Sequence, residues 1–142
     1  MTDKKIGILG VPLGFGAGKT GSELGVNAMR LTRFRGQNLA EHIRSGYEVI
    51  DHGDAVIIQP EPGSNGDNPK HLKEMLESSE NIIQAVSDIL NAGELPIILG
   101  GEHAIAIPTF SAIANHYKQK GTEIGLIWFD AHADINTPDT SP

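Results

Sequence analysis

Asp130, His132 and Asp134 fall at every second position of WFDAHADIN, directly after the apolar run IGLIW. In an extended chain, side chains at i, i+2 and i+4 point to one side. Two carboxylates and an imidazole would then gather around one point at the end of a buried segment. Charges placed there are costly unless something balances them. A divalent cation does so, and an oxygen-rich set with some imidazole suits Mn2+ and related ions rather than a soft thiolate site. Asp130 alone could be no more than a turn or helix cap; the D-x-H-x-D spacing after an apolar strand is what points to a metal.

His103 is the fourth candidate. It follows the apolar run of LPIILGGEHAIAI, and Gly100 and Gly101 allow the backbone a close approach there. A lone histidine after a strand is more often a hydrogen-bonded structural residue. Its position gives it weight, because ligands in open α/β sheets gather at the carboxyl ends of strands, and both motifs occupy such ends. Glu102 points away from His103 in an extended chain and reads as a supporting or structural residue. His42, His52, His71 and His116 have no ligand partner at useful spacing and read as solvent-facing.

A sheet is needed to bring these positions together, and the chain alternates strand and helix signals. Lys5 to Val11 reads as a buried strand, followed by a glycine-rich loop from Pro12 to Gly21. Ser22 could cap a helix carrying Ala28, Met29 and Leu31 and ending near Gly36. Tyr47 to Asp51 reads as a second strand, and residues 52 to 69 as loop. Asn68 followed by Pro69 is a helix start, a capping side chain and then a proline whose missing N–H does no harm. That helix is expected to run to about Ala92 and stop at Gly93, with Leu72, Met75, Leu76, Ile82, Ile83, Val86, Ile89 and Leu90 as its apolar stripe. Leu95 to Leu99 reads as a strand buried on both faces, Pro108 to Lys120 as a helix stopped by Gly121, and Ile124 to Phe129 as a further buried strand. The expected fold class is α/β: an open, mostly parallel sheet with helices on both faces, in a single domain over residues 1–142.

The stretch GFGAGKT, Gly14 to Thr20, imitates a phosphate-binding loop. The P-loop pattern G-x-x-x-x-G-K-[ST] needs its first glycine at position 13, where this chain has Leu13. One residue short, the loop cannot wrap a phosphate in that way. A flexible loop at the mouth of a parallel sheet is the better description, although Lys19 could still face a ligand.

The 142 residues are enough for one domain with a real core. The net charge of −7 and the lack of any Lys/Arg cluster argue against a nucleic-acid surface. Acidity is compatible with a cationic ligand, but mostly indicates solubility. There is no cysteine, which excludes disulfides, thiolate metal sites and a cysteine nucleophile. No apolar run approaches the roughly 18 residues of a membrane span, and no leader pattern opens the chain. A cytoplasmic protein is expected.

The motifs LGGEHAIAI (Leu99 to Ile107) and WFDAHADINTPDTSP (Trp128 to Pro142) resemble those of the ureohydrolases, the arginase and agmatinase superfamily. GVPLGFGAGKTGSELGVNAMR (Gly10 to Arg30) is similar to that family's opening loop and helix. The resemblance implies a three-layer α/β/α fold and a binuclear manganese centre that hydrolyses guanidinium groups. His103 would ligate one Mn2+ and His132 the other. Asp130 would bridge them. Asp134 would join the ion held by His103 and hydrogen-bond the attacking hydroxide, a catalytic role.

Asn136-Thr137-Pro138 is similar to the arginase continuation. It implies that Asn136 and Ser141 bind the α-carboxylate of L-arginine, with L-ornithine and urea as products. Agmatinase or another amidinohydrolase is the alternative, and a non-catalytic fragment a further one. The family also implies a homo-trimer or homo-hexamer. The usual GGDHS appears here as GGEHA, with Glu102 and Ala104. The family's later metal-ligating aspartates and its guanidinium-pairing glutamate follow beyond the stretch matched here. The chain is therefore read as the amino-terminal half of such a domain, expected to be inactive alone.

Overall fold

The run KIGILGV forms the central strand β1 (Lys5–Val11), and its continuous apolarity reflects burial on both faces. In the computed structural model, which describes residues 4–16, 20–63, 70–135 and 137, β1 pairs in parallel with two neighbours. These are β2 (Glu48–Asp54) and β3 (Glu94–Gly100), giving the order β2-β1-β3. Ile6 and Ile8 point to one face, against Val26, Val49 and Leu99. Leu9 and Val11 point to the other, against Ile82, Val86, Ile89 and Ala112. Helices therefore cover both faces of an open parallel sheet, as the alternation of elements predicts.

On the first face lie α1 (Gly25–Leu31) and α2 (Leu39–Arg44). A 3-10 turn, Ser22–Leu24, precedes α1, and its cap is Gly21 at φ 110° rather than the Ser22 side chain. Helix α1 ends at Leu31, earlier than Gly36, because the chain turns extended at Thr32. Phe34 and Gln37 then bridge across a turn that holds Gly36 at φ 83°. The short α2, absent from the expectation, is set by a capping box: Asn38 accepts from the Glu41 N–H, and Glu41 accepts from the Asn38 N–H.

Strand β2 runs three residues beyond Asp51. Gly53, at φ 75°, takes up a bulge that brings Asp54 opposite Gly10. Arg30 of α1 grips this bulge. Its guanidinium donates to Asp51 Oδ1 at 2.9 Å and Oδ2 at 3.1 Å, to the Gly53 carbonyl at 2.7 Å, and to Asp54. Burial opposes the Arg30 charge, but its hydrogen bonds to Asp54 and Asp51, together with their charges, outweigh it and raise the pKa.

The second face carries α3 (Leu72–Asn91) and α4 (Ala106–Gln119). Ile82, Val86 and Ile89 are at most 1% exposed; burying such side chains contributes about 1.5–3 kcal/mol each. Leu72 and Leu76, at the start of the expected stripe, are 47% and 56% exposed. His71, in the left-handed region at φ 57°, occupies the cap position of α3. The expected cap pair Asn68 and Pro69 lies outside the described residues. Gly93 at φ 76° and Gly121 at φ 66° follow the two helices as stops.

Two strand expectations change. Among the described residues β3 is an edge strand; Ile97 and Leu99 pack on one face and Ile98 on the other, as expected, but Leu95 at its start is 59% exposed. Ile124 to Phe129 forms no strand; Ile127 is 79% exposed and Phe129 93%. A strand needs a ladder partner, and a buried strand needs a cover on each face. Among the described residues this segment has neither. No helix of the described residues is long and apolar enough to cross a membrane.

Candidate metal centre

Strand β3 ends at Gly100 and the chain turns at once. A Cβ at Gly101 would collide with the carbonyl oxygen of Leu13, so the close approach of the two backbones requires glycine here. The Gly101 N–H donates to the Val11 carbonyl at 3.1 Å and the Glu102 N–H to the Leu13 carbonyl at 3.0 Å. These bonds extend the contact between the β1 and β3 ends beyond the ladder. They deliver His103 as the first residue of a 3-10 turn, His103–Ile105, that leads into α4. The position is the carboxyl edge where the chain crosses from one neighbour of β1 to the other, the place where open α/β sheets collect ligands.

Asp130 arrives from the far end of α4. Its carboxylate is fixed by its own segment: Oδ1 accepts the His132 N–H at 2.8 Å and Oδ2 accepts the Trp128 indole N–H at 3.3 Å. The first is a turn of the kind aspartate makes with the backbone two residues on. These two hydrogen bonds, the backbone bond from His132 foremost, hold the Asp130 carboxyl below its ordinary pKa. Desolvation opposes this, second only to the His132 N–H, while the nearby His103 and His132 add weaker effects in the lowering direction. The chain bends at Ala131 and His132, and Asp134 takes the left-handed region at φ 49°. Aspartate tolerates that region better than most residues.

The bend redistributes the expected alternation. His103, Asp130 and Asp134 each offer a ligand atom, and these three atoms lie within 4.8 Å of one another. His103 Nδ1 is 3.3 Å from Asp130 Oδ2, and His103 Nε2 is 3.5 Å from Asp134 Oδ2. His132 is outside this trio. Its ring is 84% exposed, with Nδ1 3.5 Å from Asp130 Oδ1. Asp130 thus turns one oxygen towards each histidine. Around an octahedral ion with bonds of about 2.1 Å, neighbouring ligand atoms stand about 3 Å apart and opposite ones about 4.2 Å. One atom from each of the three lies within 4.8 Å of the others, near enough for a single ion to reach all of them, and the donors, two carboxylates and an imidazole, fit a divalent ion of the Mn2+ type.

A cleft of about 460 Å³ lies between the 101–106 turn and residues 127–130. The indole of Trp128 packs on the His103 ring, centroids 5.1 Å apart. Asn136 and Ser141, expected to hold substrate, lie outside the described residues, as does Lys19.

Glu102 has the structural kind of role its position suggested, through a partner that the sequence does not specify. Glu102 is 8% exposed and accepts the Gly16 N–H at 3.0 Å, joining positions 86 residues apart. His52 is exposed, as expected, but it also pairs with the buried Glu94 at 2.7 Å. His42 contacts the Phe34 carbonyl at 2.8 Å, and His71 packs edge-on to Phe15. No local spacing announces a pair such as His52–Glu94, which only the sheet register brings together.

Residues 4–142 match the Arginase family. An arginase of Brevibacillus brevis is 36% identical over 140 residues, which cover 99% of this chain and 44% of that protein. An arginase of Bacillus caldovelox is 37% identical, covering 98% of this chain and 44% of that one. The solved native structure of Bacillus caldovelox arginase superposes with a TM-score of 0.78 over 98% of this chain and 44% of its own. The chain therefore spans less than half the length of these relatives. Since the match runs the length of the chain and takes in both motifs that form the cluster, the chain belongs to the Arginase family.

Proposed function

We propose that the chain carries the amino-terminal part of a manganese centre that hydrolyses the guanidinium group of L-arginine to L-ornithine and urea. The observation behind the proposal is the convergence of His103, Asp130 and Asp134 at the sheet's carboxyl edge in a chain of this family. Two Mn2+ ions are proposed, His103 and Asp134 holding one, His132 the other, and Asp130 lying between them. The opposed contacts of the two Asp130 oxygens support that division. Such ions, when bound, acidify water and so supply a strong nucleophile at neutral pH, which a resonance-stabilised guanidinium carbon needs.

The chain's own residues bind and orient. Asp134, 44% exposed at its side chain and 3.5 Å from His103 Nε2, is proposed to accept a hydrogen bond from the attacking water. The acidic cluster suits a cationic substrate. Asn136 and Ser141 are proposed to bind the α-carboxylate, which would separate arginine from agmatine. A cytoplasmic homo-trimer or homo-hexamer is the proposed setting. The 142-residue chain alone is proposed to release no urea, because it spans less than half of its arginase relatives and the family resemblance puts further metal-ligating aspartates beyond the matched stretch.

The test is a urea assay on the Mn2+-loaded whole protein that contains this chain, with arginine and agmatine compared, and on the mass-confirmed 142-residue chain. Urea from arginine and none from agmatine is expected of the whole protein. Urea from agmatine instead would move the assignment to another amidinohydrolase. Urea from the short chain would overturn the proposed inactivity.

A further inference from the structure

The carboxylate of Glu102 joins the glycine-rich loop to the turn that carries His103. Its own N–H donates to the Leu13 carbonyl at 3.0 Å, while its Oε1 accepts the Gly16 N–H at 3.0 Å. One residue therefore grips both ends of the segment Leu13 to Gly16. The fit is tight on both sides. A Cβ on Gly101 would collide with the Leu13 carbonyl oxygen, and one on Gly16 would collide with Glu102 Oε1 and sit 2.7 Å from Met75 Cε. Glu102 is 8% exposed, whereas the ring of its neighbour His103 is 53% exposed. The ring meets Trp128, Asp130 and Asp134, all from the segment after α4, so its direction relative to the sheet depends on the backbone of the turn that carries it.

We propose that Glu102 is a positioning residue for the metal centre: through Gly16 it locks the glycine-rich loop against the β3 turn and so fixes the direction in which His103 presents its imidazole. The proposal rests on the metal reading above for its consequence, but the brace itself is testable without metal. Groups that orient a metal ligand commonly change metal affinity by about 10- to 100-fold when removed.

The experiment compares Glu102→Ala, Glu102→Gln, Glu102→Asp and Gly16→Ala in the full chain. In the metal-free state, NMR follows the exchange of the Gly16 amide and the ring signals of His103. With metal, the loss of the free Mn2+ electron paramagnetic resonance signal gives the affinity. Glutamine keeps an acceptor oxygen at the same reach, so Glu102→Gln should keep the Gly16 amide protected, the His103 signals in place and the affinity within about threefold. Glu102→Ala, and Glu102→Asp with one methylene less, should expose the amide, shift the His103 signals and weaken Mn2+ binding by about tenfold or more. Gly16→Ala attacks the same contact from the other side. It should act alike, and the effects of Glu102→Ala and Gly16→Ala should combine to less than their sum in the double variant.

An exposed Gly16 amide with His103 signals and affinity unmoved would overturn the proposal, as would rapid exchange of that amide in the unsubstituted protein. If the whole protein that contains this chain binds no Mn2+, the metal reading fails, and the His103 signals alone decide the brace. If Glu102→Ala fails to fold, Glu102→Gln against Gly16→Ala still decides it.

Discussion

Asp130 is the residue on which the candidate site turns. It is held by the His132 N–H and the Trp128 indole before any ion arrives, and its two oxygens face different histidines. Asp130→Asn would keep most of the shape while replacing one anionic ligand atom by an amide nitrogen that cannot bind a cation. Bound manganese, measured by elemental analysis after gel filtration, is expected to fall well below that of the parent; unchanged content would count against a bridging role. The pH behaviour has a sign. The Asp130 carboxyl is held below its ordinary value in the folded chain. Its charged form thus favours folding above the unfolded pKa, and this contribution disappears only as the pH falls through the lower, folded value. At this scale the residue types were legible, because D-x-H-x-D after an apolar run is local. The exclusion of His132 from the trio was not. It follows from the bend at Ala131 and the left-handed Asp134, a conformation that the bare spacing does not encode.

At the scale of elements, β1, α3 and α4 follow closely from apolar runs and glycine stops. The misses have local physical causes. The helix α2 is too short for a periodic stripe to show, yet Asn38 and Glu41 three residues apart carry its start. Strand β2 extends past Asp51 because Gly53 absorbs a bulge and Arg30 then holds Asp51 and Asp54 together. This clasp is a long-range contact, invisible to any window of neighbouring residues. The Arg30 side chain is 21% exposed, so its loss would leave two partly shielded carboxylates without their partner. Arg30→Ala is expected to destabilise the chain by about 1–3 kcal/mol in urea denaturation. Arg30→Lys should recover only part of this, since an ammonium cannot reproduce the planar fork. A loss below about 0.5 kcal/mol, the range of ordinary surface substitutions, would mean that the clasp contributes little.

At the scale of the whole molecule, the sheet and the Ile124–Phe129 segment make opposite statements from similar sequence. KIGILGV and IGLIWF are both continuous apolar runs, and both read as buried strands. The first is flanked by β2 and β3 and covered by helices on each face. The second leaves α4 and runs unpaired, with Ile127 and Phe129 among the most exposed apolar side chains of the described residues. Apolar runs report what a segment requires, and the rest of the fold decides whether it is supplied. The distinction can be measured. For the 142-residue chain, Phe129→Ala should change the unfolding free energy by less than about 0.5 kcal/mol, as for an exposed position, whereas a buried phenylalanine would cost about 3–5 kcal/mol. The chain's single tryptophan, Trp128, is 47% exposed and gives a second readout. Its emission should be that of a solvated indole, readily quenched by acrylamide. A blue-shifted, protected Trp128 together with a large Phe129→Ala cost would show the segment packed as a strand in solution. The apolar run would then have described the solution fold better than the unpaired arrangement does.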